Sequence, residues 1–258
     1  MRKSVPAGSP PHHLLIPEAP VRKRSRRLWA RLAAAVAVLL VAAVAGVALA
    51  FPSVAATTCP GCYGLTELEE GVYTEPGLTG AQRAQVTEAV AQARRLVTGF
   101  YGARRTSPDL LVCLTDACYR RIGGGGERGI AILNRAVMLS PRGANPVIAA
   151  HEMSHVELHA RLPDADAVPH WFDEGLAVVV SNDSRYLAAP SAPDRCLVEP
   201  TGPLPATLDE WLAAGAADPH LYAKSACRAS RWLRAHGDRA GLLAQLERLH
   251  AGERLPDS

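Results

Sequence analysis

His151-Glu152-Met153-Ser154-His155 brings together the residue types that metal-assisted hydrolysis requires. On a helix, residues four apart lie on one face, so the imidazoles of His151 and His155 can reach a single Zn2+ at about 2.0 Å. Glu152 is rotated by about 100° from His151, out of the ligand shell but within reach of a water on the ion. That is where a general base belongs. A pattern this short arises by chance in roughly 2% of sequences of this composition, so its setting has to carry weight.

The setting is favourable. Asn145-Pro146 predicts a helix start, with Asn as the N-cap and Pro in the first turn, and no breaker follows before Pro163. Upstream, Gly129–Leu133 and Ala136–Leu139 read as strands that stop at Pro141. Downstream, Trp171-Phe172-Asp173-Glu174-Gly175-Leu176-Ala177 falls within a second predicted helix, His170–Ser181, and eighteen residues separate His155 from Glu174.

HExxH followed by eighteen residues and Glu, within W-x-x-E-G-x-A, resembles the gluzincin zinc peptidases, particularly the aminopeptidase N-like branch and its small relatives in the peptidase MA group. The resemblance covers about residues 130–250. It implies a zincin-like catalytic domain, a small edge sheet plus helices. It also implies Zn2+ held by His151, His155 and Glu174, with Glu152 as the base that polarises water. Tyr222-Ala223-Lys224-Ser225, then Arg231-Trp232-Leu233 and His236-Gly237-Asp238, is similar to the helix pair that closes many such domains. By that likeness Tyr222 supplies the hydroxyl that stabilises the oxyanion, with Tyr186 as its rival. The chain lacks the G-x-M-E-N segment with which the aminopeptidases bind a free α-amino group. An endopeptidase, or an enzyme of cell-wall peptides or membrane-proximal proteins, is therefore at least as consistent with these residues. A peptide or protein substrate would pair with the strand region 129–139.

Neighbouring residues have plainer readings. His159 is too far along the axis from His151 to share its ion, which leaves it beside the ligands or on the surface. His170 has two readings, a residue lining the cleft or a capping or surface residue, and the sequence favours the second. Asp173 either orients a ligand imidazole or favours its helix N-terminus, and the sequence leaves both open. Trp171, Trp211 and Trp232 read as core or lid packing.

These residues need a scaffold, and the chain is long enough to build one. Its 258 residues are 48% hydrophobic and 21% charged, which excludes a disordered chain and a multi-span transporter. Strand-like segments come first, including Leu110–Leu114, and helices later: Thr207–Ala214, His220–His236 and Asp238–Ala251, with an earlier helix at Gly80–Tyr101. That order is an α+β layout in one domain. The run Gly123–Gly126 lacks the Lys and Ser/Thr of a phosphate loop and reads as a turn.

Charge is divided unevenly. Residues 1–51 hold eight Lys/Arg against one Glu, whereas residues 52–258 hold twenty against twenty-four Asp/Glu. An acidic domain without a basic stripe is no partner for nucleic acid. Residues 1–31 read as a disordered, basic cytoplasmic tail, and 32–51 as a transmembrane helix of about 30 Å. The basic cluster orients the chain with its N-terminus inside. The alternative is a cleaved signal peptide, for which Ala48-Leu49-Ala50 offers a small-x-small site.

Residues 52–65 then form a juxtamembrane Cys loop, and 66–258 the metallopeptidase domain. All six cysteines follow the apolar run, as suits an oxidising compartment. Closeness in sequence favours Cys59–Cys62 and Cys113–Cys118, with Cys196–Cys227 as the remaining pair. A redox role for Cys59-Pro60-Gly61-Cys62, or a four-cysteine zinc knot, is disfavoured. Three Lys against twenty-five Arg, with abundant Ala, suggest a GC-rich bacterial source. The expectation is a single-pass membrane-anchored zinc peptidase outside the cytoplasm. Its rival is a non-catalytic binding or scaffold module that keeps the zinc site.

Overall fold

The structure is a computed structural model, describing residues 22–256. The chain divides between Val47 and Ala48 into two units. Helix α1 (Arg22–Ala50) contains Leu28–Ala50, a stretch of mean hydropathy 2.8 that is long and apolar enough to cross a membrane. Residues 22–31, expected in the tail, are helical, because no Pro or Gly interrupts propagation once Pro20 is passed. The rest of the expected tail, residues 1–21, lies outside the described residues.

The second unit is α+β. Its strands are β1 (Thr66–Glu69), β2 (Val72–Thr74), β3 (Asp109–Val112), β4 (Gly129–Ile132) and β5 (Ala136–Leu139). They form one mixed sheet in the order β1-β2-β3-β5-β4, with the central pairs β2–β3 and β3–β5 parallel and both outer pairs antiparallel. The helices are α2 (Pro52–Thr58), α3 (Gly80–Tyr101), α4 (Asp116–Arg121), α5 (Pro146–His159), α6 (His170–Ser181), α7 (Leu208–Ala217), α8 (Leu221–Ala235) and α9 (Asp238–Leu249).

Side-chain alternation along the strands splits the core into two layers. Leu110, Val112, Val137 and Leu139 join the larger cluster with α3, α5, α6, α8 and α9. Leu111 and Met138 face the other way, onto Ala56 of α2 and Tyr119 of α4. The expected juxtamembrane loop is thus partly helical: Pro52 sits in the first turn of α2, and Ala56 is buried. β1 and α4 were not evident from the sequence, since β1 is a polar Thr-Glu-Leu-Glu segment that becomes a strand by pairing with β2.

The helices that matter most are well specified locally. Asn145 Oδ1 accepts from the amides of Val147 and Ile148, both at 3.1 Å, and Pro146 occupies the first turn of α5. α5 is buried on nearly all sides, between the sheet, α3 and α6. α6 ends at Asn182 in the left-handed conformation. It lies so close to α8 that a Cβ on Gly175 would come within 2.4 Å of the Ser225 carbonyl oxygen. The cysteines are bridged as Cys59–Cys62, Cys113–Cys118 and Cys196–Cys227, which uses the thiols a zinc knot would need.

Candidate metal centre

α5 and α6 cross so that His151, His155 and Glu174 converge, one ligand atom from each lying within 4.8 Å of the others. His151 Nε2 is 3.3 Å from Glu174 Oε2, and His155 Nε2 is 3.8 Å from the same oxygen. Ligands bound at about 2.0 Å in a tetrahedral shell stand apart by similar distances. The group can therefore hold a metal ion.

Hydrogen bonding supports the fit. His155 Nδ1 lies 2.7 Å from Asp173 Oδ1, so in the neutral ring the proton sits there and Nε2 is left as a lone pair. That lone pair faces Glu174 Oε2, a buried oxygen with no hydrogen-bond partner. Two acceptors directed at each other are repulsive unless a proton or a cation lies between them. The N, N, O donor set with its buried surroundings suits a divalent ion of borderline softness.

Electrostatics follow the same geometry. Burial would raise the Glu174 carboxyl, but the imidazoles of His151, His155 and His170 outweigh it and hold the group at about 2. Burial would likewise raise Asp173, and its contacts with His155 and His159 push it well below the carboxylate range. Glu152 moves the other way: burial lifts its carboxyl above the ordinary value, and the charges of His151 and His155 only partly offset this.

Glu152 is 8% exposed, on the helix α5 that packs against β4. A Cβ on Gly129 would lie 2.8 Å from Glu152 Cγ, so a glycine there makes room for the side chain. β4 is one of the two edge strands of the sheet, beside this carboxylate. Tyr222 stands with its ring centroid 6.3 Å from that of His151 and stacks on Tyr186 at 5.1 Å. Burial, followed by the carboxylates of Glu174 and Glu152, raises its hydroxyl pKa and keeps it a donor. Trp211 packs edge-on to Tyr222 at 5.0 Å and to His170 at 5.3 Å.

The structure thus brings together His151, His155, Glu174, Glu152 and Tyr222, all named from the sequence. Both readings left open for Asp173 are realised: it lies in the first turn of α6, and its carboxylate meets His155 Nδ1 at 2.7 Å and His159 Nε2 at 2.8 Å. His170, for which the sequence favoured a cap or surface position over the cleft, points inward, with Nε2 3.5 Å from Glu174 Oε1. The i, i+4 spacing of His170 and Glu174 was the signal available for that contact. Nothing local marked Gly129 as the residue that makes room for Glu152. Comparison with family models, with curated proteins and with solved structures gives no match.

Proposed function

We propose that this chain is a membrane-anchored zinc peptidase of gluzincin type, with a zincin-like domain that hydrolyses peptide bonds outside the cytoplasm. The observation that carries the reading is the convergence of His151, His155 and Glu174 with Glu152 set beside them and outside the ligand trio. Zn2+ held by these three residues would leave a position for water and supply Lewis acidity toward a carbonyl oxygen. Glu152 accepts a proton from the attacking water and returns it to the departing amine. Its raised proton affinity suits that double role. Tyr222 donates its hydroxyl to the developing oxyanion. The substrate backbone pairs with the outer edge of β4, beside Glu152.

The address rests on other features. Leu28–Ala50 serves as the anchor, and the basic residues before it keep the N-terminus in the cytoplasm. Three disulfides beyond the helix fit an oxidising compartment.

The test uses the full chain in detergent, purified without chelator, with metal content and cleavage of a quenched peptide library measured together. One zinc per chain with turnover is the expected result, and the cut sites separate endopeptidase from aminopeptidase. Tight zinc without turnover would instead assign a binding or scaffold module, and a folded chain with no affinity for zinc would overturn the metal reading.

A further inference from the structure

A cleft of about 790 Å³ opens between α3, the ends of α6 and α8, the start of α9 and the segment around Ala192. No residue of the metal group lines it. Its apolar surface includes Leu96, Phe100, Val180 and Leu233. Four guanidiniums, those of Arg95, Arg195, Arg234 and Arg239, share the lining with one carboxylate, Asp238. This positive lining runs against the balance of residues 52–258, where acidic groups outnumber basic ones.

Two of the four charges are already met. Arg95 pairs with Glu88 at 2.7 Å and Arg234 with Asp194 at 3.0 Å. The other two are not. Arg195 is half-buried and donates only to neutral acceptors, the Ala188 carbonyl at 3.0 Å and Asn182 Oδ1 at 3.2 Å. Burial and the nearby charge of Arg234 both make its cation costlier. Arg239, exposed at the rim of the lining, has no ion-pair partner among the described residues. Unlike it, Arg195 is half-buried, and a half-buried cation with like charges along the same lining is unfavourable until an anion joins it.

We propose that this cleft binds an anionic amphiphile, with a carboxylate or phosphate head held by Arg195 and Arg239 and an apolar chain lying over Leu96, Phe100 and Leu233. The planar guanidinium fork matches both head groups. An apolar floor with a few convergent polar groups, in a cleft of this size, is the usual make-up of a small-molecule site. The inference is independent of the peptidase reading, since it uses none of the metal-group residues. A free long-chain carboxylate and an anionic lipid head group share this chemistry.

The full chain in nanodiscs of zwitterionic lipid is titrated with a fluorescent long-chain carboxylate. Saturable binding to one site is expected, with the alcohol of the same chain length and inorganic phosphate each binding at least about tenfold more weakly. Arg239→Gln breaks no ion pair, so it should leave the fold intact while weakening the carboxylate at least about tenfold and leaving the alcohol unchanged. Arg195→Gln should act in the same direction. Equal binding of alcohol and carboxylate, wild-type affinity in both variants, or no saturable binding would each overturn the proposal. Repeating the titration with anionic lipid in the nanodisc separates the sources: competition assigns the site to a lipid head group, and its absence to a free amphiphile.

Discussion

Asp173 accepts from Nδ1 of His155 at 2.7 Å, from a position on α6 next to Glu174. One short stretch of α6 therefore supplies a ligand candidate and the carboxylate that orients another. The second oxygen of Asp173 meets His159 at 2.8 Å, which ties the last turn of α5 to the same anchor.

Asp173→Asn keeps the shape but cannot accept at both oxygens. Metal affinity should fall by about 10- to 100-fold, the usual loss when a partner behind a ligand is removed. Competition against a chromogenic chelator measures it, and unchanged affinity would show that His155 needs no such support.

Glu152→Gln removes the proton acceptor without touching the ligand trio. Metal stoichiometry should stay at the wild-type value while peptide turnover drops by about 10²- to 10⁴-fold. Metal analysis on the sample used for kinetics makes the comparison, and a variant that still cleaves at wild-type rate would remove Glu152 from the mechanism.

Gly175→Ala would force a Cβ to 2.4 Å from the Ser225 carbonyl oxygen and 2.9 Å from the Ala229 Cβ. Overpacking at such a contact costs about 1–3 kcal/mol. Because Asp173 and Glu174 ride on the displaced helix, metal affinity should weaken alongside the loss seen in urea denaturation.

Glu157 is fully buried and accepts from Arg161, from the Thr106 hydroxyl and from the amides of Arg105 and Thr106. Glu157→Ala leaves the Arg161 guanidinium, itself 4% exposed, without its counter-ion. A destabilisation of about 3–5 kcal/mol is expected. Chemical denaturation reads it, and a loss below about 1 kcal/mol would mean that solvent reaches Arg161 in the variant.

Replacing Cys196 and Cys227 by Ala opens a bridge that spans 31 residues, whereas Cys59 and Cys62 are separated by 3. Chain-entropy arguments give about 4 kcal/mol for the first and about 2 kcal/mol for the second. Paired thermal melts of the two double variants under non-reducing conditions test that order.

Much of this architecture is written locally. The helix bearing His151 and His155 follows from Asn145-Pro146 and the absence of breakers, and its observed cap is the one those residues predict. Thr207 and Glu210 close their capping box as the sequence pattern requires. The disulfide pairs also follow from spacing. β1 resisted such reading because its residues alternate without a marked apolar face, so its strand state depends on a partner.

What the sequence by itself determined is the longer helices, α3 and α5 to α9, and the set of groups able to bind a cation, because caps, breakers and i, i+4 spacing act within a few residues. The tertiary structure decided the rest. It bonded Asp173 to His155 and His159, turned His170 toward Glu174, and laid Glu152 against Gly129. It also gathered Arg195 and Arg239 at one cleft from segments forty-four residues apart. These relationships depend on how α5, α6 and β4 pack, and packing is set by long-range burial that no local pattern encodes.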